Sequence, residues 1–385
     1  MKKSLRLFFL MVLLLFSSVH SFSADKQVDS IPFSFEGGNI IVSISIQNKN
    51  YNFLFSSTGY SSVSNEIIAE YNLKVNTQNQ TVKDVLFYSV NELKIGKTFF
   101  RNIDAKAVNF NTAFNFKCKQ IQGIIGADIL SKMVWKIDYN NKEILFSDAI
   151  KDFEFSNKVK TIDFKTVGNN YTPLLSLNVQ GEVFENVRLS LGFNGSINLP
   201  IKGFKEKIND FKNVKYVGTE RFSIKSDAEM FEEVCTMIPS VTIKNHDVGP
   251  TMICFFNKGL SLIGNKILKD YDVTIDWKNK KLYLDNYNSH ENYKIEDYGF
   301  YFNKTLDKIE VVGIYINSNA DKQGLKNGDL LLKVNDINLA KMSEEELCDL
   351  NYNFKNYFNN KDISITVLRG SQELHFTISK QIIID

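Results

Sequence analysis

Apolar and polar positions alternate along much of the chain. Residues 40–46 read I-I-V-S-I-S-I and 160–164 repeat the habit, which predicts half-buried strands. Phe53-Leu54-Phe55 is a short apolar strand that runs into Ser56-Ser57-Thr58-Gly59 and a small polar turn. Residues 65–71 (NEIIAEY) space their apolar positions for one face of a short helix. Further short helices are predicted at 127–133 and 266–271, and 138–141 and 276–279 carry turn residues between strands. Segments 234–243 and 251–256 predict a hairpin with residues 244–247 near its turn.

The pattern occurs twice. Gly123-Ile124-Ile125-Gly126, Ile129-Leu130 and the run from Trp135 to Lys142 match Leu262-Ile263-Gly264, Ile267-Leu268 and the run from Val273 to Lys280, at an offset of 264 − 126 = 138. Upstream, Ile44–Gln47 matches Leu177–Gln180 at 180 − 47 = 133, and that offset carries Ser57-Thr58-Gly59 onto Ser190-Leu191-Gly192. A period above 100 residues means duplicated lobes and not a solenoid.

Composition narrows the class. The 385 residues exceed one core and suit two or three domains, and a net charge of +2 argues against a nucleic-acid surface. Abundant Phe and Tyr with sparse Pro and Gly fit β-rich globular domains. Lys2, Lys3 and Arg6, the apolar run 7–16 and the small-residue site Ser21-Phe22-Ser23-Ala24 read as a signal peptide over 1–24. The expectation is export to the periplasm or cell exterior, with no membrane span once the signal is removed. Four cysteines, Cys118, Cys235, Cys254 and Cys348, have no zinc-ligand spacing, so no metal or cofactor is expected. Cys235 and Cys254 flank the predicted hairpin; a bridge and two buried thiols both fit.

The x-Thr-Gly turn together with the twice-repeated apolar-apolar-Gly and I-D-x-x-N-K endings resembles the two-lobed aspartic peptidases of the retropepsin type, over roughly 28–286. In that family each lobe brings an Asp-Thr/Ser-Gly turn to a shared site, with the apolar-apolar-Gly segment threaded behind it. The run Asn319–Asn335, containing Gly324-Leu325 and Gly328-Asp329, resembles a PDZ domain, with Gly299, Phe300, Tyr301 and Phe302 at the carboxylate-binding loop and first strand. Ser343 and Glu346 form a capping box for a helix over 344–354. The resemblances imply a mostly β chain: a duplicated two-lobe aspartic-peptidase-like fold (25–150 and 151–286), a linker (287–297) and a PDZ domain (298–380). A PDZ domain implies a polypeptide or protein C-terminus as partner, added to a sheet edge.

Aspartic peptidase chemistry needs two carboxylates about 3 Å apart that share a proton. At the offset of 133 those positions hold Ser57 and Ser190, with Thr58, Gly59 and Gly192 as turn residues. Asp84 falls where the family has a flap; Asp128, Asp138 and Asp276 read as turn and cap residues. A serine nucleophile needs an oriented base, and His20, His246, His290 and His375 all stand away from the turns in the sequence. Phe99, Phe100, Phe110, Phe114 and Phe116 read as core before groove. The leading expectation is a non-cleaving homologue that binds extended polypeptide. The alternatives are an active peptidase whose catalytic residues lie at other positions, and a structural module of an envelope complex.

Overall fold

The computed structural model describes residues 28–77, 85–166, 171–219, 230–287, 294–305, 308–353 and 357–384. The expected leader, most of the expected linker, Asp84, His20 and His290 lie outside them. Strand accounts for 51% and helix for 15%, so the chain is mostly β, as its alternation predicts. No helix among the described residues is long and apolar enough to cross a membrane.

The first half contains β1 (Asp29–Glu36), β2 (Asn39–Ile46), β3 (Lys49–Phe55), β4 (Ser62–Ser64), α1 (Asn65–Glu70), β5 (Phe87–Ile95), β6 (Thr98–Val108), α2 (Phe114–Cys118), β7 (Ile121–Ile125) and α3 (Ala127–Leu130). The hairpin β8 (Val134–Asp138) and β9 (Glu143–Ser147) closes it. Six strands form a barrel in the order β2-β3-β7-β4-β6-β5, and β5 returns to β2 where Lys94 faces Ser45. The inward positions of the alternating runs, such as Ile44, Phe53, Phe55 and Ile125, are buried inside it. Helix α1 starts where the Ser64 hydroxyl accepts from Ile67 N–H.

The second half contains β10 (Lys160–Asp163), β11 (Leu174–Val179), β12 (Glu182–Leu189), β13 (Ile197–Pro200), β14 (Asn213–Gly218), β15 (Phe231–Ile238), β16 (Thr251–Phe256), β17 (Leu262–Ile263), α4 (Asn265–Leu268), β18 (Asp272–Asp276) and β19 (Lys281–Asp285). Its strand order β11-β12-β17-β13-β16-β15 reproduces the barrel order of the first half. Directions match too. The pairs β3–β7 and β12–β17 are parallel, as are β4–β6 and β13–β16. The hairpins β8–β9 and β18–β19 meet side by side, with Val273 opposite Ile137 and Ile275 opposite Trp135, all four fully buried. The order β10-β19-β18-β8-β9-β1 therefore places the halves symmetrically about the β8–β18 contact. The two predicted turns are alike: Asp138 accepts from Asn141 N–H and Nδ2, and Asp276 from Asn279 N–H and Nδ2.

The C-terminal part contains β20 (Phe300–Thr305), β21 (Lys308–Tyr315), α5 (Asn319–Lys322), β22 (Leu330–Val334), α6 (Glu344–Tyr352), β23 (Asp362–Arg369) and β24 (Gln372–Ser379). The Ser343–Glu346 capping box is present at the start of α6. Asp329 is buried and takes a two-point contact from Arg369 at 2.7 Å on each oxygen, which fixes the Gly324–Asp329 turn. Strand β14 pairs with β21, with Tyr216 opposite Tyr315 and Gly218 opposite Gly313. The facing glycines leave room for the buried Tyr216 ring, whose hydroxyl a Cβ at Gly313 would overlap. One sheet thus runs from the second half into the C-terminal part.

All four cysteines are bridged. Cys235 and Cys254 face each other across β15 and β16, with Cα atoms 4.0 Å apart. Their strand is shorter than the sequence predicts: β15 ends at Ile238, and Val241–Ile243 is a separate strand against β11. Cys118 of α2 joins Cys348 of α6 over a separation of 230 residues, a pairing that the sequence does not suggest.

Candidate functional site

The turns after β3 and β12 sit at the boundary between the halves. Each begins where a strand end is tied to the parallel strand behind it. Ser56 N–H donates to the Ile125 carbonyl at 2.9 Å, and Ser190 N–H donates to the Ile263 carbonyl at 2.9 Å. Since Ile125 and Ile263 are themselves 138 apart, Ser56 is the equivalent of Ser190, at 190 − 56 = 134. The expected pairing of Ser57 with Ser190 is off by one residue. The cause is a bulge. Between Leu175 and Leu177 strand β11 advances two residues, while β12 advances three from Phe184 to Val187. Asn186 takes up the extra length at φ 59°.

Ser57 has another role. Its buried hydroxyl crosses to the second turn, donates to the Leu189 carbonyl at 2.6 Å and accepts from Leu191 N–H at 2.9 Å. Leu191 is the equivalent of Ser57 and is also buried, but it has no hydroxyl to return the contact. The connection is therefore one-sided.

Ser56 stays within its own turn. Its Oγ accepts from Thr58 N–H at 3.3 Å and lies 3.1 Å from Thr58 Oγ1. Gly192 of the opposite turn stands against it: a Cβ there would be 2.7 Å from Ser56 Oγ. Gly192 is exposed and Thr58, Gly59 and Phe193 are half-buried, so the junction opens to solvent on this side. Gly59 N–H donates to Thr172 Oγ1 at 3.2 Å, a further tie from the first turn to the second half.

Behind each turn passes an apolar-apolar-Gly segment. A Cβ on Gly126 would press on the Tyr60–Ser61 backbone, and one on Gly264 would press on Phe193 and Gly195, so glycine is required at both places. The next residues diverge. Asn265, fully buried, donates through Nδ2 to Leu191 O at 2.7 Å and to Gly38 O at 2.8 Å, and accepts from Tyr139 Oη at 2.9 Å. It links both halves, and nothing in the sequence marks it. Asp128 accepts from Ser61 N–H and Ser61 Oγ, both at 2.8 Å. Burial pushes its carboxyl up, and the Ser61 hydrogen bonds offset this only in part. It supports the turn from behind.

Other ionisable groups among the described residues have their own partners. Burial lowers the Lys106 ammonium, which lies 4.7 Å from the Tyr60 ring centroid and 5.7 Å from that of Phe87. His246 lies against Tyr271 and His375 against Thr366. Glu233 lies close to the Cys235 and Cys254 sulfurs, but those are bonded to each other. Phe100, Phe110, Phe114 and Phe116 are buried, whereas Phe99 is exposed beneath Lys94 and Arg101.

In the C-terminal part, Gly299 adopts φ 91° and its carbonyl accepts from Tyr315 N–H at 2.9 Å and Ser318 Oγ at 3.3 Å. Phe300 is buried, Phe302 packs on the same core, and Tyr301 turns toward Tyr216. No protein-family model matches the sequence, and no curated protein matches it.

Proposed function

We propose that the chain is an exported, non-cleaving protein of aspartic-peptidase-like build, with a PDZ-like C-terminal unit, that binds extended polypeptide. The observation that carries this is the pair of equivalent turns with Ser56 and Ser190 at their heads, each backed by a glycine segment in a duplicated strand order. A carboxylate pair at such heads would take a proton from water and donate one to a carbonyl oxygen. Two hydroxyls supply neither a base of suitable pKa nor a shared acid proton, so the frame keeps its shape and loses the chemistry. The junction remains open at Gly192 and Phe193, where an extended chain can lie. Two disulfides fit an oxidising compartment outside the cytoplasm.

The test combines cleavage and binding. An unfolded protein substrate incubated at pH 4 to 7 should stay intact, while fluorescence anisotropy reports its binding. Cleavage that survives Ser56→Ala with Ser190→Ala would place catalysis elsewhere, and cleavage abolished by that pair would make the serines catalytic. Either result overturns the reading.

A further inference from the structure

The C-terminal part holds a trough that the chain fills with its own residues. Strand β20 pairs with β21 along one edge, and among the described residues no strand lies along the other. Helix α2 of the first half touches both β20 and α6. Phe114 is buried in the same apolar cluster as Phe300, Leu347 and Leu350, and the Lys304 ammonium lies 5.2 Å from its ring centroid. Tyr352 Oη donates to the Asn115 carbonyl at 2.6 Å, Lys117 pairs with Glu344 at 2.6 Å, and Cys118 is bonded to Cys348. Five consecutive residues thus spend an aromatic, a backbone acceptor, a cation and a thiol on one surface. A helix of five residues has no stability of its own, so the trough imposes its conformation.

An unpaired strand edge beside a helix is a surface that takes up polypeptide. We propose that the trough between β20 and α6 is a docking site for a polypeptide segment with a Phe and a basic residue three positions after it, as Phe114 and Lys117 stand, and that α2 occupies it as a tethered competitor locked by Cys118–Cys348. This rests on the PDZ-like, polypeptide-binding reading above, in which a segment adds to the β20 edge, and what it adds is the chain's own occupant of that edge and the bridge that controls entry. The lock opens by exchange with a dithiol. One of its thiolates attacks a sulfur of the bridge and forms a mixed disulfide; its second thiol resolves this. Cys118 and Cys348 leave as thiols, and the dithiol, having given two electrons and two protons, becomes a cyclic disulfide.

A fluorescent peptide with the sequence of residues 110–119, carrying Cys118→Ser, is titrated into the full chain. A tethered competitor at millimolar effective concentration lowers apparent affinity by the fraction of open sites, so the oxidised chain should bind about tenfold or more weakly than the Cys118→Ser/Cys348→Ser variant. Phe114→Ala added to that variant should tighten binding further, and Phe114→Ala in the peptide should abolish it. If the double-serine variant fails to fold, Phe114→Ala with both bridges intact takes its place and should also bind more tightly than the parent. Equal affinity for the parent and for the opened variant that folds, or no binding to that variant, overturns the proposal. Binding of the unfolded substrate at the two turns should be the same in all of these chains. Its absence throughout would count against the function proposed above and not against the lock.

Discussion

Ser57 and Leu191 join the two turns through one hydroxyl, which accepts from the Leu191 amide and donates to the neighbouring Leu189 carbonyl. Because Leu191 stands where a second hydroxyl would mirror Ser57, the side chain of this contact comes from the first turn alone.

Ser57→Ala should therefore be far more costly than Ser56→Ala. The first leaves a buried N–H and a buried carbonyl without the bonds they now make, at about 1–3 kcal/mol for each group. The second removes contacts confined to one turn and should cost under about 1 kcal/mol. Urea unfolding of both variants checks this, and equal costs would refute the assigned roles.

Asn265→Leu should destabilise by at least about 2 kcal/mol, since it strands Tyr139 Oη and the carbonyls of Gly38 and Leu191 together. Thermal melts of Asn265→Leu and Tyr139→Phe, with their double variant, should show less than additive losses.

Asp128 sets a pH dependence. Its folded pKa is raised from 3.8 by burial, so its contribution is full below about pH 4 and is lost as pH rises through the folded value. Asp128→Asn keeps an acceptor for Ser61 and removes the titration. The stability of the parent relative to this variant should fall as pH rises from about 4 toward neutrality. Asp272, also raised by burial, titrates in both chains and cancels in the comparison. A difference that is flat or rises with pH would contradict the burial argument.

The bridges differ in the loops they close. Removing Cys118–Cys348, 230 residues apart, should cost about 5 kcal/mol in the chain-entropy picture, against about 3 kcal/mol for Cys235–Cys254, 19 apart. Paired serine variants compared in guanidinium should rank in that order.

The fold was legible where local chemistry repeats. Gly126 and Gly264 mark the segments behind the turns because only glycine fits there, and Asp138 and Asp276 cap identical turns. The equivalence of the turn heads is not legible in the sequence, because a single inserted residue at Asn186 alters the offset without altering the alternation pattern on either side. Asn is a residue type that tolerates positive φ, but one Asn among many gives no sign of a bulge. Asn265 and the Cys118–Cys348 bridge depend on contacts between segments far apart in the chain, and no local pattern reports those.

The ladder between Tyr216–Gly218 and Gly313–Tyr315 and the bridge at Cys118 fasten the C-terminal part to both halves, at two separate points. Parts joined only by a short polar interface swing relative to one another; here backbone and sulfur remove that freedom. The spacing from the serine turns to the edge of β20 is then a built-in length. The first half keeps that spacing while the Cys118–Cys348 bridge is closed, and opening the bridge loosens the span on that side.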